Sequence, residues 1–202
     1  MLNRMKKVLA VTLAATTILG TSLTAFAATT VAASGSSSSD PAPVVASSTV
    51  AGVKSTTAGI NYATAVAGSA VTTPAANISA AFGLAANEKP FTKFYNFDAK
   101  KSTAAKAVID AVVSLIPGAK LGPVVNVELG KMTGKTYSLL PETGVVRLAF
   151  GLPGGFAKDA KNVAVIKVTT TGIAILPDLD TNPYTVTFDT TGGAGAYAII
   201  KY

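Results

Sequence analysis

Asp178, Asp180 and Asn182 alternate over five residues, the D-x-D-x-N spacing that opens an EF-hand calcium loop, and Asp189 falls on the twelfth position. Oxygen ligands at that spacing could hold a calcium ion. The remainder of the loop does not suit one, because Pro183 stands where glycine makes the sharp turn and the last residue is not the bidentate Glu. The intervening residues also read as a strand. We therefore expect a turn whose side chains accept hydrogen bonds from nearby backbone N–H groups, with a weak surface calcium site on Asp178, Asp180 and Asn182 as the alternative.

A second short match is Leu140-Pro141-Glu142-Thr143-Gly144, the L-P-x-T-G signal by which sortases join proteins to a Gram-positive cell wall. That chemistry needs an accessible Thr-Gly bond followed by an apolar span and a basic tail. Here 58 residues of strand pattern follow Gly144 instead. The expectation is a Pro-x-x-Gly reversal between two strands, with Pro141 presetting φ and Gly144 at positive φ.

The chain has no His and no Cys. Imidazole general bases, thiolate nucleophiles, Ser-His-Asp triads and His- or Cys-liganded zinc are all excluded. Two carboxylates could still hydrolyse a glycan, and Glu88, Glu128 and Glu142 are available, but none lies in a recognisable signature. There is no S-x-x-K in a helix-opening context. The glycines of Gly192-Gly193-Ala194-Gly195 lie between strands rather than before a helix, which argues against a phosphate cradle. No residue is assigned to catalysis, to a cofactor or to a metal.

Phe82, Phe91, Phe94, Tyr95 and Phe97 gather five of the fourteen aromatic residues into sixteen positions. They are read first as core anchors, since buried aromatics dominate the energetics of small domains. The alternative is a stacking platform for sugar rings across residues 91–97. The absence of Trp weighs against it.

The elements that would position these residues are mostly strands. Four short runs fill residues 162–202. Tyr184, Val186 and Phe188 alternate with Thr185, Thr187 and Asp189, a period-two pattern with one buried face. In Val163 to Thr169 the face carrying Val163, Val165, Lys167 and Thr169 grades toward solvent, and Thr171-Gly172 offers a tight reversal with Gly172 free to take positive φ. Ala196 to Tyr202 is apolar on both faces until Lys201, as suits a strand inside a sandwich. A meander of four antiparallel strands is the economical arrangement. Upstream, Val124 to Leu129, Thr136 to Leu139 and Val145 to Phe150 read as strands, as do one or two segments between residues 44 and 72. One helix is expected over 102–116. Ala105, Val108, Ile109, Val112 and Ile116 share a face, Ser102 or Asp98 caps the start, and Pro117-Gly118 stops it.

Residues 1–27 carry a basic start (Arg4, Lys6, Lys7), an apolar run and Ala25-Phe26-Ala27, which together describe a secretory signal peptide of Gram-positive type. Without Arg4, Lys6 and Lys7 the formal +7 becomes 14 basic against 10 acidic side chains, or +4. Those charges are scattered. They argue against a nucleic-acid surface and leave weak attraction to anionic wall polymers. Residues 28–43, rich in Ser, Thr and Ala, read as a flexible tether, and 44–202 as a single domain stabilised by packing with no disulfide.

The closing stretch from Val186-Thr187-Phe188-Asp189-Thr190 through the glycines to Tyr197-Ala198-Ile199-Ile200 resembles the final strand pair of immunoglobulin-like β-sandwich modules of Gram-positive secreted and cell-surface proteins. The resemblance covers about the last forty residues. It implies an accessory module without catalytic activity and carries no site residues with it. The expected architecture is mainly β, an immunoglobulin-like or jelly-roll-type sandwich of seven to ten strands with one packed helix. The expected role is a non-enzymatic extracellular module at the bacterial cell envelope, secreted or wall-associated, with no membrane span once the leader is removed. Its partner is left open between cell-wall or extracellular polysaccharide and another surface protein, and carbohydrate binding through residues 91–97 is the alternative function.

Overall fold

The computed structural model describes residues 49–158 and 160–202. The expected leader (1–27), the tether (28–43) and the first residues of the domain lie outside the described residues.

Alternation in Val163 to Val168 and Ala196 to Lys201 does build strands, and the chain arranges its strands into two facing sheets. In order along the chain these are β1 (Thr49–Val50), β2 (Val53–Lys54), β3 (Ala58–Tyr62), β4 (Ser69–Val71), β5 (Glu88–Asn96), β6 (Lys120–Thr133), β7 (Thr136–Leu139), β8 (Val146–Gly151), β9 (Val163–Val168), β10 (Ile173–Pro177), β11 (Thr185–Thr190) and β12 (Gly193–Lys201). The larger sheet runs β10-β9-β12-β6-β5-β3, with β7 also paired to the end of β6. The smaller is β11-β8-β4, and β1 and β2 form a separate two-stranded ladder. All pairings are antiparallel except that of β3 with β5. The fold is a mainly β sandwich with small helices.

The simple meander is not what forms. β9 and β10 make the expected hairpin, but residues 178–184 then carry the chain to the smaller sheet, where β11 pairs with β8. The chain returns as β12, between β9 and β6. Both sheets need an apolar inner face, and crossing between them supplies Val186 and Phe188 to one and Tyr197 and Ile199 to the other, all fully buried. Tyr184 is the exception to the expected buried face, being 62% exposed. Its N–H donates to the Asn182 side chain and its carbonyl accepts from Leu152, so it belongs to the turn, and the strand begins one residue later. The hairpin turn also differs from expectation. Gly172 is not at positive φ; the Thr169 hydroxyl accepts from the Thr171 N–H at 3.2 Å, and Thr169 N–H donates to Gly172 O at 2.9 Å.

Helix α2 (Thr103–Leu115) is the one foreseen, and it lies across β9, β12 and β6 on the outer face of the larger sheet. Ala105 and Ile109 are buried while Thr103, Lys106, Asp110 and Ser114 are exposed, as the apolar spacing requires. The expected side-chain cap by Ser102 or Asp98 does not form: Ser102 makes no cap hydrogen bond, and the Asp98 carboxylate accepts from the N–H groups of Lys100 and Lys101, which lie in the turn before the helix. This cover explains why β9 has no wet face. Val165 and Lys167, expected to grade toward solvent, point into the sandwich, and Ala164 and Ile166 lie on the face that the helix covers.

Two short helices were not foreseen, so the single helix is corrected to three among the described residues. They are α1 (Ala75–Ala81) and α3 (Gly154–Ala157), each starting after a proline, Pro74 and Pro153, at φ −52° and −57°. A proline at a helix start loses no needed donor and presets φ. Ile78 of α1 is buried in the sandwich core with Val71, Val125, Val127, Leu148 and Phe150. No helix among the described residues is long and apolar enough to cross a membrane.

Candidate functional site

Alternation along β5 divides the aromatic cluster. Pro90, Thr92 and Phe94 face the core, and Phe94 is 3% exposed against Phe150. Phe91, Lys93 and Tyr95 face outward and are half-buried, as is Phe97 just past the strand. Phe82, before β5, packs partly buried against the core. The core reading thus holds for Phe94, and Phe91 and Tyr95 stand on the outer face of the larger sheet beyond the cover of α2.

Two residues absent from the sequence cluster complete that face. The parallel register of β3 and β5 sets Tyr62 beside Tyr95, and their rings stack with centroids 6.3 Å apart and planes 28° from parallel. Tyr62 is 57% exposed. On the other side β7 brings Tyr137 edge-on to Phe91 at 6.0 Å. Lys93 sits among them, its Nζ 3.5 Å from the centre of the Tyr137 ring and 3.3 Å from Glu128. The result is an aromatic surface with one ion pair at its centre, an arrangement suited to flat, hydroxylated ligands. Burial raises the Tyr95 hydroxyl above its usual pKa, helped by Glu128 and Tyr62. The Tyr137 hydroxyl is buried beside Glu128 without a hydrogen bond of normal geometry. Burial, with that carboxylate second, holds its proton well above the phenol range.

Tyr137 takes its place because residue 130 is glycine. A Cβ there would lie 2.3 Å from the Tyr137 ring, so the ring lies flat where any side chain would stand. Gly130→Ala is expected to displace Tyr137, release Lys93 from its ring and destabilise the protein by about 1–3 kcal/mol. In urea melts, Gly130→Ala combined with Tyr137→Ala should recover much of that loss, because the second change makes room for the first.

The other sequence candidates fall elsewhere. Glu88 is bonded to Lys131 at 2.5 Å, chiefly by which its pKa is lowered, and Glu128 to Lys93. The alternation of β5 and β6 sets these two carboxylates on opposite faces of one sheet. Glu142 is in the crossing from β7 to β8 and bonds the Thr171 hydroxyl. No two of the three share the cleft that two-carboxylate hydrolysis requires.

In the D-x-D-x-N stretch, an Asp178 oxygen accepts from the N–H groups of Asp180 and Thr187. Asp180 accepts from the N–H of Asn182 and the hydroxyls of Thr185 and Thr187, and Asn182 from the N–H of Tyr184. These are successive Asx turns, the reading preferred from sequence. Among the described residues no three acidic side chains gather as a metal site.

Leu140-Pro141-Glu142-Thr143-Gly144 forms the expected reversal, with Gly144 at φ +62°, although the strands it joins belong to different sheets. Leu140 is buried, its N–H donates to Leu129, and the Thr143 carbonyl accepts from Gly192. Neither a protein-family model, nor a curated protein, nor a solved structure matches this chain.

Proposed function

We propose that this chain is a non-enzymatic extracellular module of the bacterial cell envelope that binds carbohydrate on the outer aromatic face of its larger sheet. The carrying observation is the stacked pair Tyr62 and Tyr95, with Tyr62 more than half exposed. A solvated ring on a sheet face offers a flat apolar surface to the C–H face of a pyranose, and Lys93 and Glu128 supply a donor and an acceptor to its hydroxyls. Export rests on the leader-like residues 1–27, and the absence of catalysis on the missing imidazole and thiol groups. The immunoglobulin-like resemblance of the closing segment agrees with an accessory role.

A glycan array probed with the full chain, followed by calorimetry on the best ligand, tests this reading. Tyr62→Ala is expected to weaken binding about tenfold, equivalent to about 1.4 kcal/mol, while Tyr62→Phe leaves it nearly unchanged. Absence of binding to any wall or matrix glycan, or binding indifferent to Tyr62→Ala and Tyr95→Ala together, would refute it.

A further inference from the structure

A cleft of about 310 Å³ opens at one end of the sandwich and shares no residue with the aromatic face. Glu142 and Val145 line it from the β7–β8 crossing, Lys167 and Ile173 from the β9–β10 hairpin, and Thr191 from the turn before β12. Lys167 is only 6% exposed. Its ammonium donates to the Thr191 hydroxyl at 2.7 Å and the Thr191 carbonyl at 3.3 Å, and it stands 5.8 Å from the centre of the Tyr197 ring. It forms no ion pair with any described carboxylate. The two acidic residues lining the cleft are otherwise engaged, Glu142 by Thr171 at the exposed rim and Asp189 by Nε and Nη2 of Arg147.

Glu142 acts on Lys167 only from beyond ion-pair distance; a buried cation so incompletely compensated is unfavourable, and an anion that reaches it gains what the fold withholds. Of the three ammonium protons, two are directed at Thr191 and one is left for a ligand. The Thr191 hydroxyl accepts from Lys167 and so keeps its own proton to donate. Beside this polar floor the walls are apolar and partly bare, with Val145 59% and Ile173 53% exposed. A volume near 310 Å³ is at the small end for ligand sites.

We propose that this cleft binds a small organic carboxylate with a compact apolar body, its oxygens on Lys167 and Thr191 and its hydrocarbon part against Val145 and Ile173. The charge selects an anion, and the walls select against inorganic ones. A free carboxylic acid and the carboxy terminus of a peptide present this same chemistry.

The test is a titration of the isotopically labelled full chain with 4-methylpentanoate and, separately, N-acetyl-alanyl-leucine, read from the amide resonances of Lys167 and Thr191. Sulfate and 4-methylpentanamide are the inorganic and uncharged controls at matched ionic strength. Saturable shifts with at least one carboxylate, at least tenfold tighter than with either control, are expected, and the tighter of the two names the source. Lys167→Met should weaken binding more than tenfold, and Ile173→Ser, a change at an exposed position, severalfold with the fold intact. The proposal is overturned if neither carboxylate saturates, if the amide or sulfate binds as well, or if Ile173→Ser and a folded Lys167→Met bind like the parent.

Discussion

Phe150→Ala is expected to cost about 3–5 kcal/mol of folding stability, among the largest losses from a single truncation at the described residues. Phe150 is fully buried and belongs to the smaller sheet. Its ring meets Phe188 of the same sheet at 5.2 Å, and Phe94 and Tyr197 of the larger sheet at 6.1 and 6.5 Å, nearly edge-on to both. Each such pair adds about 0.5–1.5 kcal/mol beyond the area it buries. The three neighbouring rings are held by both sheets and are not free to collapse into the space, so most of the cavity would persist. With no cysteine in the chain there is no covalent link to compensate. Against a typical total of about 5–15 kcal/mol, the variant should be marginal at 37 °C. Urea melts of Phe150→Ala and Phe150→Leu check this, the leucine variant losing much less. A loss under about 1 kcal/mol for Phe150→Ala would mean that the two sheets are not held together through this ring.

How much of this was legible in the sequence depends on whether a residue's role is set by its own strand or by its neighbour. Val186 and Phe188 alternate with threonines, and that alone announces a strand with a buried face; the apolar spacing of Ala105 and Ile109 likewise announces α2. Which sheet a strand joins is decided by pairings the local pattern does not encode, so the meander was the wrong inference from correct strands. Lys167 shows the limit clearly. A lysine at the end of an alternating run reads as a marker of solvent, yet here both faces of β9 are covered, one by α2 and one by the smaller sheet. The aromatic face was half visible. Phe91 and Tyr95 lie in the local cluster, but Tyr62 and Tyr137 arrive from strands 33 and 42 residues away through the registers of β3 and β7. Helix α1 carried a readable signal, Pro74 at its start and Gly83 after its end, obscured by an Ala- and Thr-rich stretch with little periodicity. The D-x-D-x-N spacing was ambiguous for a physical reason, since alternate oxygens serve a cation or a run of Asx turns equally well.

Above pH 10 the protein is expected to lose stability steeply, and Tyr197 is the main cause. Its ring is fully buried and its hydroxyl lies 2.9 Å from that of Thr190. Burial, opposed by that hydrogen bond and aided by Glu142, holds its pKa far above the ordinary value of 10.0. Between those two values the unfolded chain has released the phenolic proton and the folded one retains it, so unfolding is favoured as pH rises. The loss approaches about 1.4 kcal/mol per pH unit from Tyr197 alone. Tyr137, raised chiefly by its own burial, adds a smaller term because its ring is partly solvated. Lys167 acts with the opposite sign. Burial lowers its pKa from 10.5, so the folded state gives up its proton first, and stability rises as pH climbs from that lowered value toward 10.5. The wild-type profile should therefore combine a rise from Lys167 that ends near pH 10.5 with a fall from the tyrosines that sets in above pH 10. Urea midpoints taken from pH 8 to about 11.5 separate the two groups: Tyr197→Phe should blunt the fall and leave the rise, and Lys167→Met should flatten the rise and leave the fall. If Tyr197→Phe declines in parallel with the parent above pH 10, the phenol is not the buried acid that this packing requires, and the ring cluster around Phe150 is open to water on the Tyr197 side.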